Sequence, residues 1–398
     1  MTLAAQAIAR ESHESTLSLV VGLVFAFRIC VTFLFFQSKP EIGTAVTVAF
    51  GLSLFTAALG VAMVSPAVGE RPVRHSRTTA WIWFYLFLVL MSLSWTTTRS
   101  ITNAAAYWLA LAADVVTVAV LMWHGPVQKQ ACGLMKGFVI GGINLAIIAW
   151  VIPALSDLRL GDEDFLHPNA IGYQLAIATL FALYLSRHSH VWIWMAGLLG
   201  ITLLRTLSKA SIIACLAAGL FYIVSDSSLR RRSKRNIGIA VALLLVLSWG
   251  LLESYIDTYA QGGRVETLTG RTVIWAEAYS TALEKPWFGH GFYSFRWVVP
   301  LFGDFEAWQA HNELLQQFFS YGLVGVVVVI VLYRSLYLDV RLARGTSQHL
   351  LAAALLIFAL VRGLVDTERF DLTYPLWLMA MMSIWISRTR LTVSTVHE

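Results

Sequence analysis

The chain reads as a series of long apolar runs separated by short polar breaks, and this pattern predicts nearly every element. Runs close to the roughly 20 residues needed to cross a bilayer occupy about 17–36, 43–64, 80–96, 104–123, 134–152, 169–186, 191–204, 208–225, 237–252, 313–333, 350–365 and 374–387. Those at 191–204 and 374–387 are short for a span. None shows the alternation of a barrel strand, and backbone groups in lipid must bond within their own segment, so the runs predict helices. The expectation is an all-α polytopic membrane protein of about 12 transmembrane helices, with residues 1–398 forming a single membrane domain.

One stretch breaks the rhythm. Residues 253–312 are mostly polar and predict a large outward-facing loop; 153–168 is a shorter one. Within 253–312 the sequence predicts a helix from Arg271 to about Glu284, capped by Thr269 and stopped at Lys285-Pro286. Trp287-Phe288-Gly289-His290-Gly291-Phe292 then alternates glycine with large aromatics, which suits a turn at headgroup level. No internal repeat is evident, which disfavours an inverted-repeat transporter.

Composition agrees with the pattern. Hydrophobic residues make up 58% of the chain and charged residues 13%, about half the charge of a soluble protein. Most of the 29 Lys and Arg residues fall in or beside alternate short loops, including Arg71, Arg74, Arg77, Arg230, Arg231, Arg232, Lys234, Arg235, Arg334, Arg341 and Arg344. By the positive-inside rule both termini are then cytoplasmic and 253–312 lies on the other side. The net charge of +6 is therefore a topology signal, and nucleic-acid binding has little support. No cleaved signal peptide is expected: residues 1–16 have little basic character and no small-residue cleavage site follows the first run. Cys30, Cys132 and Cys215 lie in spans or a cytoplasmic loop, so no disulfide framework is expected. Metal-type Cys/His spacing is missing.

The candidate chemistry gathers around the large loop. Arg271, in the first turn of its helix, opposes the helix dipole, which is unfavourable unless an anion is held there. Its structural alternative is a pair with Glu266, Glu277 or a lipid phosphate. Arg205 and Lys209 flank a short outward turn and either snorkel to headgroups or join Arg271 in a cluster suited to a diphosphate. His311 stands where the loop meets the next span; imidazole titrates near working pH and can accept a hydroxyl proton. Its bland alternative is an interface histidine, with Asn312 as the cap. Asp162-Glu163-Asp164 reads as a solvated turn rather than a metal site, and His167-Pro168-Asn169 as a helix start. Arg28 and Asp114 lie within spans, where ionisable groups are costly and often functional, and the sequence leaves open whether they pair with each other; Arg362 and Asp366, one helical turn apart, fit a local pair.

These residues resemble a known family. Leu268-Thr269-Gly270-Arg271-Thr272-Val273-Ile274-Trp275, then Pro286-Trp287-Phe288-Gly289-His290-Gly291, then His311-Asn312-Glu313-Leu314-Leu315-Gln316 with Gly322 and Gly325, follow the order seen in the bacterial O-antigen ligase and O-antigen or exopolysaccharide polymerase family. Leu207-Ser208-Lys209-Ala210-Ser211 resembles the start of the same region, so the motif match covers about 205–330. The resemblance implies a GT-C-like fold in the bacterial inner membrane, a periplasmic loop at 253–312, and an undecaprenyl-diphosphate-linked glycan as donor. It implies that His311 activates the acceptor hydroxyl and that Arg271 holds the diphosphate. Lys209 stands where many members have arginine, which leaves the second phosphate contact open between Lys209 and Arg205. The implied enzyme is a metal-independent, inverting glycosyltransferase without a cofactor. Trp275, Trp287, Phe292, Trp297 and Trp308 offer surfaces for sugar or lipid, with an interfacial belt as the default. The reading leans to a polymerase, for which a chain-length regulator is the expected partner. The alternative is a ligase acting on a lipid A–core acceptor. A lipid-linked oligosaccharide flippase, which would spread charge through many spans, is the reading from another class.

Overall fold

The computed structural model describes residues 16–31, 40–64, 76–152, 159–161, 166–247, 268–302, 306–368 and 372–394. The regular elements are helices: α1 (Thr16–Val31), α2 (Pro40–Val64), α3 (Arg77–Ser92), α4 (Ile101–His124), α5 (Val127–Val151), α6 (Pro168–Leu185), α7 (Val191–Arg205), α8 (Lys209–Ser225), α9 (Arg231–Leu247), α10 (Leu268–Ala282), α11 (Phe295–Val298), α12 (Glu313–Leu342), α13 (Ser347–Gly363) and α14 (Leu376–Ser394). Among the described residues, all twelve apolar runs fall on helices, the two short ones included. Helices α4, α5, α6 and α12 are long and apolar enough to cross a bilayer, and α1, α3, α7, α8, α13 and part of α2 are shorter apolar helices. The protein is an all-helical, multi-span membrane protein.

Local chemistry sets the helix starts. Ser76 accepts from the Thr79 amide, Thr346 from that of His349 and Asn312 from that of Leu315, each satisfying an amide that has no partner within its helix. At α6 the His167 ring nitrogen accepts from the Asn169 amide and Pro168 takes the first helical position. The bundle then packs α2 on α4, α8 on α13, α6 on α5 and α7, α14 on α3 and α4, and α3 on α12. Between α1 and α5 the backbones nearly touch: a Cβ on Gly22 would lie 2.0 Å from the Leu134 carbonyl oxygen, and one on Gly137 1.8 Å from that of Leu19. Lipid supplies no hydrophobic force between helices, so such close backbone approach carries much of the association.

Charged groups in the spans have polar partners. Arg28 on α1 meets Asp114 on α4 at 2.7 Å, a pair the sequence left open. Asp339 on α12 accepts from Thr78 on α3 at 2.6 Å and Ser383 on α14 at 3.0 Å. Arg388 on α14 donates to the carbonyls of Met122, Trp123 and Gly125 at the end of α4, where a cation suits the negative end of the helix.

Helix α12 is broken. Gly322 has φ 63° and ψ −157°, backbone open in practice only to glycine. Segment 285–291 fills the break. The His290 and Gly291 amides donate to the Phe319 and Ser320 carbonyls at 2.9 and 2.8 Å, and the Leu323 and Val324 amides donate to the Pro286 and Trp287 carbonyls at 2.8 and 3.3 Å. The other side of the segment is fastened to the end of α3: the Thr97 amide donates to the His290 carbonyl and the Thr96 hydroxyl to that of Phe292. The glycine–aromatic turn is thus hydrogen-bonded through its backbone to α12 and to the connection after α3. Interrupted backbone is tolerated at membrane depth only where such partners exist.

One detail differs from the sequence reading. The described part of α10 runs from Leu268, so Thr269 lies inside it rather than capping it, although Arg271 remains near its start. After it, Trp287 and Phe288 are exposed while Gly289, His290, Gly291 and Phe292 are buried. Asp162-Glu163-Asp164 and residues 253–267 lie outside the described residues.

Candidate active site

The start of α12, the end of α13 and the start of α10 converge on the short connection 364–368. His311 immediately precedes the α12 cap and has φ 51°, an uncommon conformation for a residue with a side chain. Its Nδ1 lies 2.9 Å from Asp366 Oδ1. The same oxygen accepts from the Thr367 amide at 3.0 Å, and Gln309 Nε2 approaches it at 3.5 Å. The other oxygen, Oδ2, lies 3.3 Å from Arg362 Nη2. Burial opposes the charge on Asp366, but Arg362, the His311 hydrogen bond and charge, and the charge of Arg271 outweigh it and hold the carboxyl well below the usual carboxylate range.

An ionised carboxylate only accepts hydrogen bonds, so the neutral imidazole carries its proton on Nδ1 and keeps its lone pair on Nε2. The His311 side chain retains 18% exposure. The Asp366 bond sets the orientation of the ring.

Arg362 holds Asp366 in place. It is 1% exposed, reaches Glu368 Oε1 at 2.9 Å and Ser211 Oγ on α8 at 3.3 Å, and lies over the Tyr173 ring of α6 at 4.4 Å. Its Nη1 has no hydrogen-bond partner among the described residues. The local Arg362–Asp366 pair expected from sequence is present, and it is one part of a network joining four helices.

Arg271 donates from Nη1 to the Val365 carbonyl, one residue from Asp366. Among the described residues it makes no ion pair with Glu277, and Glu266 lies outside them. Lys209, at the start of α8, is exposed and feels the positive charges of Arg159 and Arg271. Arg205 is the last residue of α7, half-buried, across the turn 206–208 from Lys209. The structure therefore brings Arg271 and His311 to the same short connection, with Lys209 in electrostatic reach of Arg271.

Sequence reading did not single out Arg159, which is buried, donates to Asn169 Oδ1 at 2.9 Å and reaches the Thr206 carbonyl at 3.4 Å. It braces the turn before Lys209 against the start of α6. Its signal in the sequence was an arginine in a short outer loop, which headgroups explain equally well. Glu368 and Gln309 were missed too, since only the fold brings them to Arg362 and Asp366. Of the aromatics, Trp287 is exposed, Phe292 is buried, and Trp297 and Trp308 sandwich Arg296 at 4.6 and 3.8 Å from its guanidinium carbon.

Fold and site together define a multi-span helical membrane protein with a histidine–aspartate–arginine network and Arg271 bound beside it. A family model described as O-antigen ligase matches residues 194–330. The chain is also 27% identical over 199 residues to an O-antigen ligase of Pseudomonas aeruginosa, covering 48% of this chain and 47% of that protein. It spans about half the length of the curated relative it matches. The family region contains Lys209, Arg271 and His311; Arg362 and Asp366 lie beyond it.

Proposed function

We propose that the protein is a glycosyltransferase of the bacterial inner membrane, both termini cytoplasmic, that moves a glycan from an undecaprenyl-diphosphate carrier onto a lipid A–core acceptor. The sequence leaned towards a polymerase. The similarity to a protein described as an O-antigen ligase favours the ligase, so that reading is preferred. The observation that carries the proposal is the His311–Asp366–Arg362 arrangement with Arg271 bound one residue away, at Val365.

The chemistry follows from these groups. An acceptor hydroxyl attacks the anomeric carbon as its proton passes to His311 Nε2. The bond from that carbon to the diphosphate oxygen breaks, and the diphosphate leaves with the electron pair. A single displacement of this kind inverts the anomeric centre. Asp366 stabilises the imidazolium as it forms, and Arg362 keeps Asp366 charged and oriented. Arg271 and Lys209, with Arg205 nearby, face the developing negative charge of the leaving group; one well-placed donor of this sort contributes about 10²–10³ in rate. Because these cations can act without a metal, a chelator is expected to leave the rate unchanged.

The test is reconstitution of the purified chain in lipid nanodiscs with lipid-diphosphate glycan, with and without lipid A–core. A ligase yields glycan-capped lipid A–core and does not lengthen the donor. Donor elongation without lipid A–core would restore the polymerase. Movement of intact donor across proteoliposomes without glycosidic transfer would indicate a flippase.

A further inference from the structure

The densest run of basic side chains, 230–235, lies away from the site described above. Helix α8 runs from Lys209 to Ser225, about 25 Å at ~1.5 Å per residue, so the turn 226–230 and the start of α9 stand at its far end. Asp226 is the one acidic residue in 186–190 and 226–235, and its charge is spent. Arg187 holds it through contacts of 3.2 and 2.7 Å, and the Ser228 amide and hydroxyl donate to it at 2.9 and 2.7 Å. Lys234 donates to the Val224 carbonyl at 2.6 Å, which ties α9 to the last turn of α8. Arg230, Arg231, Arg232 and Arg235 are exposed and make no ion pair or side-chain hydrogen bond among the described residues.

Two of these arginines are in register with apolar side chains. On α9, Arg232, Arg235, Ile239, Leu243 and Val246 follow one another at intervals of three or four residues and so form one stripe. Lys234, which reaches α8, falls outside it. Ile239, Leu243 and Val246 are each more than half exposed, and α9 packs closely on none of the other described helices. From Arg235 to Val246 the stripe runs about 16 Å, against about 15 Å for half of a ~30 Å hydrocarbon core. Basic residues near the end of a span are enough to orient it. Orientation does not require the bases and the apolar stripe to share one face of the helix.

We propose that this stripe binds one anionic phospholipid, with its phosphate held by Arg232 and Arg235 and an acyl chain laid along Ile239, Leu243 and Val246. Charge complementarity selects the occupant. A zwitterionic headgroup brings a cation of its own to the arginines. A second copy of the chain, related by a two-fold axis along the membrane normal, would set arginine against arginine. A soluble anion would leave the apolar part of the stripe uncovered. With both termini cytoplasmic, as proposed above, the lipid belongs to the cytoplasmic leaflet. It anchors the helix that precedes α10, the carrier of Arg271. The site does not depend on the reaction proposed for His311.

The test is native mass spectrometry of the full chain released from nanodiscs of phosphatidylcholine, of phosphatidylglycerol, or of equal parts of both. From the mixture the parent should retain phosphatidylglycerol under activation that strips phosphatidylcholine. Arg232→Gln with Arg235→Gln should weaken that retention about thirtyfold, the effect of two bases near a membrane surface. Arg232→Lys with Arg235→Lys should keep the lipid, because the charge stays. Arg230→Gln with Arg231→Gln removes equal charge off the stripe and should weaken retention far less. Leu243→Asn leaves every base in place and should also release the lipid. Melting curves screen each variant for folding, and since the arginine pair and Leu243 sit at different ends of the stripe, either can decide the outcome. Equal retention of the two lipids by the parent overturns the site. Equal loss in the two glutamine pairs also overturns it, since that is the mark of diffuse surface charge. So does a dimer that persists without phosphatidylglycerol and disappears when Arg232 and Arg235 are replaced by glutamine.

Discussion

Asp366→Asn separates charge from shape at the centre of the network. Asparagine keeps the volume and can still accept from His311 Nδ1, so the ring stays oriented while the counter-charge to its protonated form is lost. The two groups are 2.9 Å apart. Two unit charges about 4 Å apart at an effective dielectric of about 20 interact by ~4 kcal/mol, which corresponds to about 10³ in rate. The expected result is a fall in kcat of about that size with the KM for donor changed only a few-fold. Arg362 keeps Glu368 at 2.9 Å, so the stability cost should fall at or below the low end of the ~3–5 kcal/mol for breaking a buried pair. Asp366→Ala, which also opens a void, should cost more. The assay is steady-state transfer to lipid A–core by the reconstituted enzyme, beside a thermal melt of each variant. The pH dependence has a definite sign. Asp366 has a depressed folded-state pKa, so its stabilisation is present above the unfolded value of about 3.9 and is lost only as pH falls through the lower folded value. Any loss of rate between pH 7 and pH 5 therefore comes from another group. An Asp366→Asn enzyme that turns over within threefold of the parent would falsify the counter-ion role.

His311→Gln should lose about 10²–10⁴ in turnover while binding donor normally, because it keeps a hydrogen bond but cannot accept the proton; near-parental turnover would make His311 a positioning residue. Arg271→Ala should abolish product with the protein still folded, and Arg271→Lys should restore only part of it because the planar fork is lost; full activity in the alanine variant removes Arg271 from the reaction. Gly322→Ala should destabilise by at least ~1–3 kcal/mol, since its Cβ would lie 2.4 Å from the Trp287 carbonyl oxygen; an unchanged melting temperature would contradict the tight seam at the helix break. For topology, a cysteine at exposed Ser280 should react with an impermeant thiol reagent in intact spheroplasts, and labelling only after lysis reverses the orientation.

The helices were legible because each span needs a long apolar run, a signal that survives without knowing any neighbour. The Arg362–Asp366 pair was legible for a related reason: four residues on one helix-like turn are close whatever the fold. His311 and Asp366 are 55 residues apart, so each could be named while their bond could not. The Gly322 break was hidden because glycine is common in membrane helices and its φ is not written locally. Thr269 carried a cap signal that lost to a helix starting at Leu268, and Arg159 looked like any outer-loop arginine until its buried partners were seen.

The segment that fills the α12 break acts as a borrowed helical turn, clamped to α3 on one side and α12 on the other. Moving it would break those hydrogen bonds on both sides at once, so it works as a splice that ties the two parts of α12 to the connection after α3.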